Sequence, residues 1–222
     1  MRNEFAKIIT ELSVVKKDIV LLAGDIGNRL FDNFKKNNPE RFYNCGVAEA
    51  NMTGVASGLA SCGFKPVTYT ITPFNTARCF EQIRLDICYP NLPIIIVGTG
   101  SGLSYASLGA THHSMEDISI LKTLPNLQII CPADKKEVRE AFIKAYESNK
   151  PTYIRLGKKG EPLIHKKKPN FQIGKSIFLK KGNDVALLGV GNALSIAAKC
   201  EEELFKKKIK CDLISFHTPK PL

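Results

Sequence analysis

At 222 residues the chain has room for one large domain, or for one domain and part of another. Its 44% hydrophobic and 24% charged residues are the composition of an ordinary soluble globular protein. The net charge of +11 raises the question of nucleic acid, but the dense lysine groups 166–168 and 206–208 carry no interleaved aromatics and no DNA- or RNA-binding signature, so they read as solvated surface.

The N-terminus is an amphipathic start without a hydrophobic signal core, and the longest apolar run, Leu92 to Val97, is far too short to span a bilayer. The expectation is a cytoplasmic protein with no membrane partner. The seven cysteines are widely spaced, with no Cys-x-x-Cys pair, so a zinc knuckle is not expected and reduced core thiols are.

Short β-branched runs alternate with helix-length amphipathic segments. The predicted order is helix 3–16, strand 18–22, helix 49–62, strand 66–70, helix 73–88, strand 93–97, helix 115–124, strand 127–130, helix 134–148 and strand 152–156. This rhythm predicts an α/β fold, a mostly parallel sheet with helices on both faces. Asp134 is a good N-cap, and Glu137 three residues later predicts a capping box.

From Gly157 to Lys175 the rhythm breaks into Gly, Pro and Lys. A new unit follows: strand 184–188, helix 193–206 and strand 211–215. One βαβ motif cannot close a domain of its own. The expected division is therefore 1–160 as a first domain, 161–175 as a linker, and 176–222 as the truncated beginning of a second α/β domain.

The segment Cys45 to Ala60 holds one carboxylate, Glu49, among alternating Gly and Ala. Small residues let another surface approach closely, and a carboxylate there risks a burial cost of several kcal/mol unless something compensates it. Gly98 to Gly102 follows a strand, but its spacing is not that of a dinucleotide site. Gly189-Val190-Gly191 is no better, and no P-loop or nucleophile elbow is present. The long polar loop from Gly98 to Ser114 sits where α/β sheets bind ligands and ends in His112 and His113. Adjacent histidines cannot share one face, which argues against a metal pair, and a loop histidine with a structural role is the plain alternative for His112.

Four segments together resemble the pyrimidine-binding domain of the thiamine-diphosphate-dependent transketolase family. They are Leu22–Gly27 (LAGDIG), Gly46–Met52 (GVAEANM), Gly102–Ser104 with Gly109–Asp117 (GATHHSMED), and Leu124–Asp134 with its PN and CPAD. The resemblance covers about residues 1 to 160, and the residues after the linker look like the opening of the family's C-terminal domain. It implies the separately encoded C-terminal subunit of a split transketolase, with thiamine diphosphate as cofactor. The activity implied is transfer of a two-carbon ketol unit from a ketose or ketose phosphate to an aldehyde acceptor.

By resemblance, Glu49 binds N1′ of the cofactor's aminopyrimidine and favours the imino tautomer that activates the thiazolium. Phe74 packs on the pyrimidine ring, with Phe80 as a core residue in competition for that role. Asp25 lies near the cofactor and a subunit interface. His112 stands at the substrate end and assists proton transfers. Lys158 falls where the family usually has a phosphate-binding arginine, although a linker lysine is an equal reading. No metal ligand is expected here, because the half that holds Mg2+ and the diphosphate is absent. The resemblance thus implies an N-terminal partner subunit, in an α2β2 assembly.

Two positions depart from the family pattern. Leu108 stands where many transketolases have an aspartate that contacts a sugar hydroxyl, and Gly100 where classical ones have another histidine. The usual pentose phosphates are in question for that reason. The competing readings are a 2-oxo acid dehydrogenase β subunit or deoxyxylulose-phosphate-synthase-like enzyme, and a non-catalytic scaffolding subunit.

Overall fold

The structure is a computed structural model that describes residues 1–27 and 29–222. In chain order the elements are α1 (Arg2–Val15), β1 (Ile19–Ala23), α2 (Asp32–Asn37), β2 (Phe42–Asn44), α3 (Glu49–Ser61) and β3 (Lys65–Ile71). A helical segment then contains α4 (Phe80–Gln82), followed by β4 (Ile95–Thr99), α5 (Asp117–Lys122), β5 (Gln128–Ile130), α6 (Lys135–Ser148) and β6 (Thr152–Leu156). The last elements are β7 (Ile177–Lys180), β8 (Val185–Gly189), α7 (Ala193–Lys206) and β9 (Cys211–Ser215).

The first six strands form one sheet in the order β2-β1-β3-β4-β6-β5, every pair parallel. The central strands are buried on both faces, and alternate residues feed two separate cores. Ile19 and Leu21 of β1, Ile95 and Val97 of β4, and Ile154 and Leu156 of β6 point to the face covered by α1, α2 and α6. Val20 and Leu22, Ile96 and Tyr153 point to the opposite face, against α3, the helical segment 77–88 and α5. The first core is built on aromatics: Phe5 stacks on Tyr69 at 5.5 Å, and Phe31 meets Tyr69 edge-on at 4.9 Å.

α6 is capped as its sequence predicts at one end and differently at the other contact. The Asp134 carboxylate accepts from Lys136 N and Glu137 N at 2.9 and 3.0 Å. The Glu137 carboxylate reaches back one residue further than a capping box requires, accepting from Ala133 N at 2.7 Å, and its other oxygen accepts from Ser215 Oγ of β9 at 2.6 Å.

The predicted helix 73–88 is not one helix. It is a turn, a 3-10 turn (Ala77–Cys79), the short α4 and a π-helix (Ile83–Cys88). Polar side chains compete for the backbone at its start. Asn75 Nδ2 donates to Val97 O at 3.0 Å across the sheet, and Thr76 Oγ1 donates to Thr72 O at 2.7 Å. The helix expected at 115–124 is shorter, Asp117–Lys122. α2 and β2 were not anticipated; β2 is a three-residue edge strand with two exposed residues and no periodicity to read.

The three later strands form a second sheet, β7-β9-β8, with β8 and β9 parallel across the α7 crossover and β7 antiparallel to β9. Residues 161–175 contain no helix or strand but dock on the first unit. Phe171 enters the first core, and Ile164 N and His165 N both donate to the Asp134 carboxylate. The C-terminal residues run antiparallel to β5, with Ile129 N donating to Lys220 O at 2.8 Å and Cys131 N to His217 O at 2.7 Å. That contact pairs an edge strand that would otherwise be open. Lysines 166–168 and 206–208 are exposed. Among the described residues no helix is long and apolar enough to cross a membrane.

Candidate active site at the carboxyl ends of the parallel strands

Five positions singled out in the sequence lie beyond the carboxyl ends of strands in the first sheet. Asp25 follows β1, Glu49 opens α3 after β2, Phe74 follows β3, His112 lies in the loop after β4, and Lys158 follows β6. The strand order reverses between β1 and β3, the place where parallel α/β sheets leave a ligand crevice.

Glu49 is 1% exposed, in the first turn of α3, where the helix dipole favours negative charge. Its carboxylate is not unpaired: Arg78 Nη1 donates to Glu49 Oε2 at 2.6 Å. Sequence reasoning missed Arg78. The same guanidinium lies 4.1 Å from the centroid of the Phe74 ring. Phe74 in turn meets His112 edge-on at 5.0 Å. His112 faces Tyr105 at 5.9 Å, and Lys158 Nζ stands 4.0 Å over the Tyr105 ring. Glu49, Arg78, Phe74, His112, Tyr105 and Lys158 therefore form one continuous row. Phe80, the competing aromatic, packs against the second core instead.

Asp25 is exposed, in the left-handed region at φ 54, and accepts from Asn44 Nδ2 at 3.0 Å. It stands outside the row but next to its base through Gly24. A Cβ on Gly24 would lie 3.0 Å from Thr70 Oγ1 and 3.3 Å from Glu49 Cγ, so only glycine leaves room there. Among the described residues Thr70 Oγ1 is buried without a hydrogen-bond partner.

The loop that carries His112 is anchored at its far end. Arg155 binds the buried Asp117 through Nε at 2.7 Å and Nη2 at 3.2 Å, and donates to Ser114 O at 3.0 Å. Tyr153 Oη donates to the same carboxylate at 2.7 Å. Burial works against the Arg155 charge, but the Asp117 hydrogen bonds and charge outweigh it and hold its pKa above the ordinary value. Gly100 has φ +78, and the Tyr105 ring lies where a Cβ would be, so the loop closes only over glycine at that position. Leu108 is 52% exposed on a short 3-10 turn. Beside Lys158 a cavity of about 280 Å³ is lined by Ser104, Lys159, Glu161, Asn192 and Ser195, so the second unit reaches the site.

A buried carboxylate, a half-buried aromatic face and an unpartnered buried hydroxyl fit the aminopyrimidine end of thiamine diphosphate: an acceptor for a ring nitrogen, a surface for a flat ring, and a free polar group at its edge. Among the described residues no group of three or more His, Cys, Asp or Glu is placed to hold a metal ion.

Comparison with known proteins gives the family of the chain. Residues 1–161 match the family described as "Transketolase, pyrimidine binding domain". The chain belongs to that family. It is 33% identical over 222 residues to the 6-deoxy-6-sulfo-D-fructose transketolase subunit of Clostridium sp. (strain MSTE9), covering 100% of this chain and 69% of that protein. It is 31% identical over 223 residues to an apulose-4-phosphate transketolase subunit of Phocaeicola vulgatus, covering 100% of this chain and 72% of that protein. Among solved structures it is similar to "Split gene transketolase, inactive beta4 tetramer", at 35% identity and TM-score 0.91, covering 99% of this chain and 72% of the other. These relatives are transketolase-type enzyme subunits, and the family implies thiamine diphosphate as the cofactor.

Proposed function

We propose that this chain is the pyrimidine-binding, C-terminal subunit of a two-subunit transketolase that moves a two-carbon ketol unit from a ketose donor to an aldehyde acceptor. The observation that carries the reading is the buried Glu49 carboxylate, joined through Arg78 to the Phe74 ring, in one row with His112 and Lys158. Bound thiamine diphosphate supplies the electron sink for cleaving the ketose carbon–carbon bond.

Each residue of the row has a task on this reading. Glu49 holds a proton shared with a pyrimidine ring nitrogen. Phe74 fixes the plane of the ring at low entropy cost. His112, half-buried and joined to Thr111 Oγ1 at 3.0 Å through Nδ1, has Nε2 left for a substrate oxygen. Lys158 supplies a point charge at the far end. Two named relatives act on a sulfo-sugar and a sugar phosphate, which supports a donor or acceptor with an anionic terminus for this chain too. Asp25, exposed beside Gly24, borders the cofactor on the side where a second subunit adjoins.

The diphosphate and Mg2+ belong to an N-terminal partner subunit, in an α2β2 enzyme. Support comes from the relatives named as transketolase subunits and from a solved relative whose β4 tetramer is described as inactive. The test mixes this chain with the candidate N-terminal subunit, thiamine diphosphate and Mg2+, and follows aldehyde release from a panel of ketose phosphates and sulfo-sugars. Turnover is expected only in the mixture, and Glu49→Gln should lower kcat at least about 100-fold, the scale of losing one charge-positioning contact in the transition state. A mixture inert on every donor, or one in which Glu49→Gln retains full turnover, refutes the proposal.

A further inference from the structure

The Arg78 guanidinium makes the two contacts that a cofactor pyrimidine would make. It donates an N–H to Glu49 Oε2 at 2.6 Å and lies 4.1 Å from the Phe74 ring centroid. A guanidinium is flat, cationic and an N–H donor at its edge. A pyrimidine that shares a proton with a carboxylate is flat and an N–H donor at its edge as well. The ring face covered by Arg78 cannot also carry a pyrimidine, and the lone pair of Oε2 that holds the guanidinium is not free for the ring nitrogen.

We propose that Arg78 is a built-in stand-in for the cofactor ring: in the free chain it neutralises Glu49 and covers Phe74, and it swings outward when the aminopyrimidine enters. This rests on the reading that thiamine diphosphate binds at Glu49.

Three observations support a side chain that holds the site and then leaves it. First, Arg78 is 43% exposed while Glu49 is 1% exposed, so the cation has solvent to move into and the carboxylate has none. Second, among the described residues Glu49 is the one hydrogen-bond partner of the guanidinium, whereas the turn beneath it is pinned. Arg78 N donates to Pro73 O at 3.2 Å and Cys79 Sγ to Phe74 O at 3.1 Å, so the side chain can rotate without moving the backbone. Third, the stand-in is incomplete. Thr70 Oγ1, which flanks Gly24 together with Glu49, stays buried without a hydrogen-bond partner among the described residues although Arg78 is in place. Buried hydroxyls are normally satisfied, and this one points to an occupant other than the guanidinium.

The pairing gives the half-site a way to exist alone. A carboxylate buried without a cation destabilises a fold strongly. Arg78 removes that burden before cofactor arrives, and in return it competes with the cofactor. Only the fraction of molecules with Arg78 displaced is competent to bind, which weakens the apparent affinity by that fraction.

The experiment compares wild type, Arg78→Met, Arg78→Lys, Glu49→Gln and the double variant Glu49→Gln/Arg78→Met. In the free full chain, Arg78→Met at pH 8 should lower Tm by about 5–10 °C, and adding Glu49→Gln should recover most of that loss. A wild-type Tm for Arg78→Met at pH 8 overturns the pairing. Binding of thiamine diphosphate is then read by titration calorimetry and by saturation transfer to the pyrimidine protons, for the chain alone and with the candidate N-terminal subunit. Arg78→Met should bind about tenfold more tightly than wild type, the size of one charge-assisted hydrogen bond with one exposed cation–π contact removed from the competitor. Arg78→Lys, which keeps the charge but cannot lie flat on Phe74, should fall between them. Equal or weaker binding by Arg78→Met, with wild type binding normally, overturns the stand-in and leaves the cofactor reading intact. Absence of binding by every form overturns the cofactor reading and the stand-in together, whatever the Tm data show.

Discussion

Arg155 is the best place to test how the loop that carries His112 is held, because removing it leaves a charge with nowhere to go. Asp117 is 1% exposed and receives two hydrogen bonds from Arg155, at 2.7 and 3.2 Å, and one from Tyr153 at 2.7 Å. Arg155→Met keeps the apolar stem and deletes the cation. Among the described residues Tyr153 is then the one side-chain donor left to the buried carboxylate, and the Ser114 carbonyl loses the donor that holds the loop end at 3.0 Å. Breaking one partner of a buried pair costs about 3–5 kcal/mol. For a chain of this size that corresponds to a Tm fall of about 6–20 °C, from about 2–4 °C per kcal/mol. The double variant Arg155→Met/Asp117→Leu removes both charges and should regain most of the loss, since an apolar pair of similar volume is close to neutral. Urea unfolding at pH 7.5 and a thermal scan measure both. If Arg155→Met loses less than about 1 kcal/mol, or if the double variant is no better than the single, the pair is not a strut for the loop.

Two further outcomes follow from other parts of the fold. His217 is fully buried, stacks on Phe171 at 3.9 Å, and burial together with nearby His165 pushes its pKa down to about 4 from the ordinary 6.5. The native state resists its protonation, so the contribution of His217 is fully present above about pH 6.5 and is lost as the pH falls towards 4, by up to about 3 kcal/mol. Glu137, raised by burial, acts in the opposite direction in acid; burial works against the Asp134 charge too, but hydrogen bonds from His165 hold that carboxyl low. The difference between wild type and His217→Phe therefore isolates the histidine: the two urea midpoints should converge as the pH drops from 7.5 to 5, and parallel curves would count against the assignment. Leu108→Asp should leave Tm within about 1–2 °C, since Leu108 is 52% exposed, and should raise kcat/KM for donors with a hydroxyl at the contacted carbon relative to those lacking one. An unchanged donor ranking in the reconstituted enzyme would show that residue 108 does not face the sugar.

The strands were legible because β1 and β4, buried on both sides, leave apolar runs, and β3 and β6 are rich in β-branched and aromatic residues. β2 was not, because two of its three residues are exposed. The segment 73–88 read as a continuous helix by composition, yet Asn75 is spent on Val97 O and Thr68 O, carbonyls from other strands that no local pattern reveals. The site was legible as positions and not as contacts. His112 could be placed in a loop at a strand end, while Glu49 follows β2, a strand the sequence did not announce. That Phe74 rather than Phe80 joins the row, and that Tyr105 bridges His112 to Lys158, depends on how two loops fold over one another.

By itself the sequence determined the alternation of strand and helix, and with it a mostly parallel sheet. Those properties follow from the two-residue period of a strand and the repeat of a helix, which neighbouring residues set among themselves. Only the tertiary structure decided what Glu49 meets. Its partner lies 29 residues away on a different element, and an ion pair depends on a separation of a few ångströms that the order of residues does not encode. An isolated carboxylate in a run of small residues thus became, on folding, one paired with a guanidinium that also covers an aromatic ring.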